Sequence, residues 1–234
     1  MLAMKRVLEP EVMDTPEEAA DYDTMDHGAV NLRFCQDLLA TTAVRGPVLD
    51  VGTGTALIPI ALCDLTKDVR IVAIDLAVHM LTLAKKHIDA RGLNDRIELV
   101  KIDAKSMSFR DGEFACVVSN SIVHHIPEPR DVMAEIHRVT APGGVVFVRD
   151  LSRPDTEKEV DRIVALYGGE PPLDPSQRSS YDHQRMLFRD SLCAALTPDE
   201  VKALATEVGM IEADVRMTSD RHWTLTYRKP LATS

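Results

Sequence analysis

The sequence predicts an α/β fold with a doubly wound, mostly parallel sheet of seven strands. Short apolar runs alternate with segments of helical periodicity from residue 48 to residue 150, and this alternation is typical of strands joined by right-handed helical crossovers. The last two apolar runs are separated only by residues 218–222. Because a parallel crossover needs a dozen or more residues, we expect these two strands to be antiparallel.

The elements follow in a regular order. Residues 26–42 have helical spacing and end before Gly46 and Pro47, which interrupt a helix. We then predict strands at residues 48–51, 70–74, 97–102, 114–119 and 145–148, and helices at residues 56–65, 79–91 and 132–139. Gly92 ends the second of these three helices, and the run 142–144, Pro-Gly-Gly, predicts a turn before the fifth strand.

The pattern changes after residue 150. Residues 151–195 are rich in charged and turn-forming residues, with short helical patches at 159–166 and 186–196. Thr197, Pro198 and Glu200 then form a strong helix start, with a capping threonine, a proline at the first position and an acid at the third. That helix is expected to reach residue 208, and strands at 211–217 and 223–228 complete the sheet.

Composition limits the classes of function. The net charge of −10 argues against a polyanion-binding surface, since nucleic-acid affinity depends on clustered Lys and Arg. The four cysteines include no Cys-x-x-Cys pair, so no metal site is expected. There is neither a leader pattern nor an apolar run of about 18 residues. We therefore expect a cytoplasmic protein without a membrane span, as a monomer or homodimer.

The most informative feature is the turn from Asp50 to Gly54, which follows an apolar run. Gly52 and Gly54 allow the backbone to turn tightly and approach a ligand, and Asp75 ends the next predicted strand, where it can accept ribose hydroxyls. Asp50 would repel a bound pyrophosphate, whereas it would attract an ammonium group. This charge argument, and Leu57 where a dinucleotide-binding turn has its third glycine, favour S-adenosylmethionine over a nicotinamide cofactor.

Residues 48–150 resemble the class I S-adenosylmethionine-dependent methyltransferases. Asp50-Val51-Gly52-Thr53-Gly54 is similar to their acid-x-Gly-x-Gly core, and residues 121–127, with His124 and His125, resemble the signature of the ubiquinone/menaquinone-biosynthesis type (methyltransferase types 11 and 25). The resemblance implies a Rossmann-like fold, S-adenosyl-L-methionine as cofactor, S-adenosyl-L-homocysteine as product and a small-molecule substrate. Ala56 departs from the pattern, because many members have a third glycine there.

The resemblance also implies which residues form the cofactor site. Asp75 would bind the ribose, Asp103 the exocyclic amine of adenine, and Asn120 and Ser121 would line the methyl-transfer region. The full set of expected cofactor-binding residues is Tyr22, Asp50, Gly52, Thr53, Gly54, Asp75, Leu76, Met80, Asp103, Ala104, Asn120 and Ser121.

The acceptor side is less defined. We predict catalytic roles for His124, His125 and Arg149. If the nucleophile is a hydroxyl or ammonium group, a base must take its proton, and the candidates are His124, His125, His27 and His222, because His titrates near neutrality. A carbon nucleophile would need less help. The expected substrate-contacting residues are His27, Asn31, Arg149, Arg189, Arg221 and His222. Arg149 and Asp150 are both predicted to point toward the rim of the site. The arginines suggest an acceptor with an anionic group, and the alternative is that they form salt bridges at the rim.

Two other functions stay open. The chain could bind S-adenosylmethionine or S-adenosylhomocysteine without catalysis, or it could be an NAD-dependent oxidoreductase, which Asp50 disfavours. Asn120-Ser121-Ile122-Val123 lacks the Asn/Asp-Pro-Pro-Tyr pattern of base-amino methylation, so no nucleic-acid partner is expected. We predict one domain over residues 1–234: an N-terminal cap and helix (1–45), a cofactor-binding core (46–150), a substrate-side insertion (151–195) and a C-terminal helix with two strands (196–234).

Overall fold

The computed structural model describes residues 4–9, 15, 16, 19, 23 and 28–231. Numbered in chain order, the strands are β1 (Pro47–Val51), β2 (Arg70–Asp75), β3 (Ile97–Lys101), β4 (Phe114–Asn120), β5 (Thr140–Leu151), β6 (Asp214–Met217) and β7 (His222–Arg228). The helices are α1 (Gly28–Thr41), α2 (Leu57–Leu65), α3 (Val78–Arg91), α4 (Arg130–Val139), α5 (Glu157–Tyr167), α6 (Arg178–Ala194) and α7 (Pro198–Glu207). Short 3₁₀ turns occupy Val123–His125 and Pro175–Gln177.

The seven strands form one sheet in the order β3-β2-β1-β4-β5-β7-β6. The first five are parallel, and β7 runs antiparallel to both β5 and β6. The predicted sheet, including its antiparallel last pair, is confirmed. The chain moves outward from β1 to β3 and then returns to place β4 on the other side of β1. The carboxyl ends of β1 and β4 therefore flank a topological switch point, where α/β sheets bind ligands.

Apolar side chains cover both faces of the sheet. Phe34 and Leu38 of α1 join Ile60 of α2 and Ile88 of α3 in the core on one face. On the other face, α4 and α7 pack against the sheet through fully or nearly fully buried side chains such as Ile136 and Val201. This double cover explains why β1 and β4 read as continuous apolar runs.

Two helix ends follow directly from local chemistry. Gly92 adopts a left-handed conformation (φ +63°) after α3, and its N–H caps the helix by donating to the carbonyls of Asp89 and Ile88. Thr197 and Glu200 form the predicted reciprocal capping box at the start of α7.

The fifth strand differs from its prediction. Residues 142–144 lie inside β5, and the pairing of β4 with β5 shifts register between Phe114 and Cys116. Proline has no N–H for the ladder, so it is tolerated in a sheet at such an irregularity. Gly143, at φ +79°, continues the strand by donating to the Lys229 carbonyl.

Residues 151–195 contain two helices, α5 and α6, which are longer than the predicted patches. The segment 4–9 packs against them: the Val7 N–H donates to the Cys193 carbonyl (3.1 Å), and the Arg153 guanidinium donates to the Met4 carbonyl (2.9 Å). Among the described residues, no helix combines the length and the apolar character that a membrane crossing requires.

Candidate functional site

A cleft of about 840 Å³, open space included, lies at the carboxyl ends of β1, β2 and β4. Nine of the residues expected to bind the cofactor line it: Gly52, Gly54, Asp75, Leu76, Met80, Asp103, Ala104, Asn120 and Ser121. Lys105, Ile122, His125 and Ile126 add to the wall.

The turn after β1 can be built only with glycine at its first position. Gly52 has a φ of +72°, and a Cβ on it would lie 2.9 Å from Cδ1 of Ile122 and closer still to Cγ2. The N–H groups of Gly52 and Thr53 both donate to the Ile74 carbonyl at 2.9 Å. The turn is therefore fixed against the end of β2, and Ile122 closes over it.

Asp75 lies at the end of β2, where the backbone orients its carboxylate. The Gly54 N–H donates to Oδ2 at 2.8 Å, and the Ala77 N–H donates to Oδ1 at 2.9 Å. These bonds restrict the rotamer of a carboxylate that also lines the cleft. Each oxygen of a carboxylate can accept a second hydrogen bond, so Asp75 has the capacity to bind a vicinal diol.

Asp103 occupies the equivalent place after β3. Its Oδ1 accepts a hydrogen bond from the Lys105 N–H (2.9 Å), and the Lys105 ammonium lies 3.3 Å from the same carboxylate. Both residues line the cleft. A hydrogen-bond acceptor is therefore available on the side of the cleft that is opposite β4.

Asp50 lies beneath the glycine turn and does not line the cleft. It is 2% exposed, and its Oδ2 atom has no hydrogen-bond partner among the described residues. Burial raises the pKa of Asp50 to about 7, against a lowering effect of Thr53. Thr53 is also buried outside the cleft wall. The predicted attraction of Asp50 for an ammonium group would therefore act through the turn.

Ser121 follows β4 with a φ of +58°. A left-handed backbone is uncommon for a residue with a Cβ, and such conformations often occur where a ligand binds. The Ser121 N–H donates to the Arg149 carbonyl at 2.9 Å, which fixes this turn to the neighbouring strand. Asn120 and Ser121 are thus held at the cleft.

The two histidines of the 3₁₀ turn occupy different environments. His124 is buried, with Nδ1 2.5 Å from Asp150 Oδ1, whereas His125 lines the cleft. Burial alone would lower the pKa of His124, but the Asp150 carboxylate raises it above the ordinary value. Burial and the neighbouring His124 together lower the pKa of His125. Of the predicted catalytic histidines, only His125 therefore reaches the cleft.

Arg149 does not point toward the rim as predicted. Its guanidinium is buried, donating to Thr224 Oγ1 (2.9 Å) and to Asp37 Oδ2 of α1 (2.7 Å). Successive residues of a strand face opposite sides of the sheet, so Arg149 points toward α1 and Asp150 toward His124. The prediction that both side chains share the rim is wrong for this reason.

The other predicted substrate residues are spread over the molecule. Arg189 forms ion pairs with Glu157 and Asp161 of α5, as the salt-bridge alternative expects. Asn31 is buried in α1. Tyr22 and His27 lie outside the described residues.

Arg221 and His222 are next to the end of β5. The Arg221 guanidinium lies 3.4 Å from the ring centroid of Tyr167 and 3.4 Å from Asp220. Burial lowers the pKa of His222 to about 4, so His222 is neutral at pH 7.

The sequence missed one buried acid near the cleft. Glu9 comes from the N-terminal segment, and its Oε1 lies 2.9 Å from His125 Nδ1. No local pattern marks Glu9, because its neighbours in the fold are more than one hundred residues away in the chain.

Comparison with known proteins identifies the domain. Residues 49–148 match the family model described as "Methyltransferase domain". The chain is 37% identical over 109 residues to phosphatidylethanolamine N-methyltransferase of Cereibacter sphaeroides, covering 46% of this chain and 52% of that protein. It thus spans about half the length of this relative. It is 29% identical over 211 residues to ubiquinone biosynthesis O-methyltransferase of Methylococcus capsulatus, covering 87% and 86% of the two chains.

The fold also matches solved structures. Phosphoethanolamine N-methyltransferase 2 of Haemonchus contortus, solved in complex with S-adenosyl-L-methionine, superposes with a TM-score of 0.66 at 16% identity. The match covers 92% of this chain and 57% of that one. At this identity the likeness shows the fold.

Proposed function

We propose, from the match of residues 49–148 to the methyltransferase-domain family, that the chain is a class I S-adenosylmethionine-dependent methyltransferase that methylates a small-molecule acceptor. The observation that carries the proposal is the cleft itself, in which the glycine turn, Asp75, Asp103 and Ser121 converge at the switch point of the sheet.

The cleft residues fit S-adenosyl-L-methionine. Gly54 lines the cleft without a Cβ, which allows close approach of the ligand, and the oriented Asp75 carboxylate suits ribose hydroxyls. Asp103 is available to an adenine amine. Oδ2 of buried Asp50 has no hydrogen-bond partner in the described part of the chain and favours positive charge nearby. The same oxygen would not attract the negatively charged pyrophosphate of a dinucleotide.

The bound cofactor would supply an activated sulfonium methyl group. The chain then has to align the acceptor nucleophile and exclude water. Met80, Ile122 and Ile126 give the cleft an apolar wall for this purpose. We assign the acceptor contact to His125, because it is the predicted catalytic residue that lines the cleft.

Acceptor-dependent formation of S-adenosylhomocysteine is the direct test. The chain would be incubated with S-adenosylmethionine and a panel of amines, ethanolamine phosphates and hydroxylated aromatic rings, and the product measured by mass spectrometry. We expect at least one class to raise product formation above the acceptor-free rate. Binding of S-adenosylhomocysteine without turnover across the panel would favour the non-catalytic alternative.

We further propose that the acceptor has an anionic group. Two relatives act, by name, on ethanolamine lipids or phosphates. Arg149 and Arg189 are already paired with acids. Arg221 carries this proposal, because its ion pair among the described residues is one 3.4 Å contact with Asp220, just before β7 begins.

Acceptor pairs with and without a phosphate group would test the role of Arg221. We expect Arg221→Ala to weaken only the phosphorylated member, and Arg189→Ala to leave both unchanged. Equal affinities in the wild type would contradict an anionic acceptor.

A further inference from the structure

The N-terminal segment brings an acid to the two histidines of the 3₁₀ turn. The Arg6 guanidinium donates to the carbonyls of Ile126 (2.8 Å), Pro127 (2.9 Å) and Ala194 (2.6 Å). These bonds attach the segment across the turn and to the end of α6. Glu9 follows three residues later, with its side chain only 7% exposed.

Three potential ligand atoms converge at this point. Glu9 Oε1 lies 2.9 Å from His125 Nδ1 and 3.6 Å from His124 Nε2, and the three atoms are all within 4.8 Å of one another. A separation of 3.6 Å is too long for a hydrogen bond. Oε1 and His125 Nδ1 are close, but neither has an aligned hydrogen-bond partner among the described residues.

These separations are those of ligands around one ion. Zinc binds imidazole nitrogen and carboxylate oxygen at about 2.0–2.2 Å. Two ligands about 2.1 Å from an ion and at angles of about 90–120° are about 3.0–3.6 Å apart. The separations of 2.9 and 3.6 Å from Glu9 Oε1 fall at this range, and the two imidazole nitrogens, which lie within 4.8 Å of each other, would both turn toward a bound cation.

The surrounding hydrogen bonds orient the ligands. Asp150 accepts from the Val123 N–H (2.6 Å) and holds His124 through Nδ1, which leaves Nε2 facing Glu9. A carboxylate behind a histidine is the usual support of a metal-binding imidazole. The Ser191 hydroxyl donates to Glu9 Oε2 at 3.1 Å, which turns Oε1 toward the histidines.

The buried charges also favour a bound cation. Glu9 and Asp150 place two carboxylates beside two imidazoles with little access to water, and buried charges require compensation. Arg6 is already engaged with backbone carbonyls. A divalent cation would neutralise both carboxylates, whereas a single proton on His124 would neutralise one of them.

We propose that Glu9, His124 and His125 bind a divalent cation of the zinc class. Three protein ligands leave at least one coordination position, and His125 lines the cleft, so that position is available to an oxygen of the acceptor. This last step rests on the proposed methyl transfer; the cation site itself does not.

Metal binding can be measured without turnover. The 234-residue chain, without an affinity tag, would be stripped of metal with a chelator. It would then be titrated with Co²⁺, followed by visible absorption, and separately with Zn²⁺, followed by elemental analysis after gel filtration. We expect about one equivalent of either ion per chain and intense Co²⁺ bands from a low-coordinate nitrogen–oxygen site.

Matched variants distinguish this site from others. Glu9→Gln keeps the shape of the side chain and should weaken Zn²⁺ binding by at least about tenfold, and His125→Gln should do the same. His183→Asn, at an exposed histidine of α6, and Glu212→Gln, at an exposed acid, should bind as the wild type does.

Failure of the wild type to retain either ion would overturn the proposal and leave a protonated His124 between the two acids. Unchanged affinity in both ligand variants would overturn it as well. Neither outcome bears on S-adenosylhomocysteine binding, which tests the proposed function separately.

Discussion

Gly52→Ala tests whether the glycine turn has the geometry described, and Gly92→Ala provides a matched control. Both glycines have positive φ angles, +72° and +63°. Each alanine variant is therefore expected to lose about 1–2 kcal/mol of stability, because a residue with a Cβ is strained in the left-handed backbone conformation. At Gly92 nothing lies within 4 Å of the added Cβ. The backbone conformation is therefore the whole effect there.

At Gly52 the new methyl group meets Ile122, with Cδ1 at 2.9 Å and Cβ at 3.0 Å. Overpacking of this kind adds about 1–3 kcal/mol. We expect Gly52→Ala to lower the free energy of unfolding by about 2–5 kcal/mol, and Gly92→Ala by about 1–2 kcal/mol. Since Ile122 also lines the cleft, only Gly52→Ala should weaken S-adenosylhomocysteine binding.

Urea unfolding followed by Trp223 fluorescence provides the stability values, because Trp223 is the only tryptophan and is fully buried. Titration calorimetry provides the affinities. Equal losses of stability in the two variants, or unchanged ligand affinity in Gly52→Ala, would refute the reasoning.

Three further predictions follow from single side chains. Asp75→Asn should weaken S-adenosylhomocysteine binding at least about tenfold in calorimetry, because a charged acceptor of hydrogen bonds is worth about 1.5–3 kcal/mol; an unchanged Kd would contradict its ribose role. Burial raises the pKa of Asp50 from 3.8 to about 7, so between these pH values the folded state keeps a proton that the unfolded state releases. The contribution of protonated Asp50 to stability is therefore full below about pH 4 and is lost as the pH rises to about 7. The difference in the free energy of unfolding in urea between the wild type and Asp50→Asn should therefore change between about pH 5 and pH 8. A constant difference would disprove the raised pKa of Asp50. Thr197→Ala removes the capping box of α7 and should reduce stability by about 1 kcal/mol, against no measurable loss in Thr206→Ala at the exposed end of the same helix.

The sequence predicted those parts of the fold that local chemistry determines. The spacing of apolar residues and the turn-forming residues between them predict the seven strands. The capping box of Thr197 and Glu200 predicts the start of one helix, and Gly92 predicts the end of another. The glycine turn and Asp75 could be predicted together because one strand, one turn and one helix fix their separation.

The remaining parts depend on contacts between distant segments. Arg149 was misplaced because nothing in its neighbourhood shows that Asp37 of α1 and Thr224 of β7 surround it. Glu9 was missed because its proximity to His125 results from the Arg6 bonds to the 3₁₀ turn. The run 142–144 was interpreted as a turn because only its partner strand shows that it continues the sheet.

The central claim is that the cleft beside Gly52 and Asp75 binds S-adenosylmethionine. Calorimetric titration of the wild type with S-adenosylhomocysteine and, separately, with NAD tests it most directly. We expect one S-adenosylhomocysteine per chain, with binding lost or strongly weakened in Asp75→Asn, and no heat of binding with NAD. Saturable NAD binding at this cleft, or no binding of S-adenosylhomocysteine by the folded wild type, would contradict the claim.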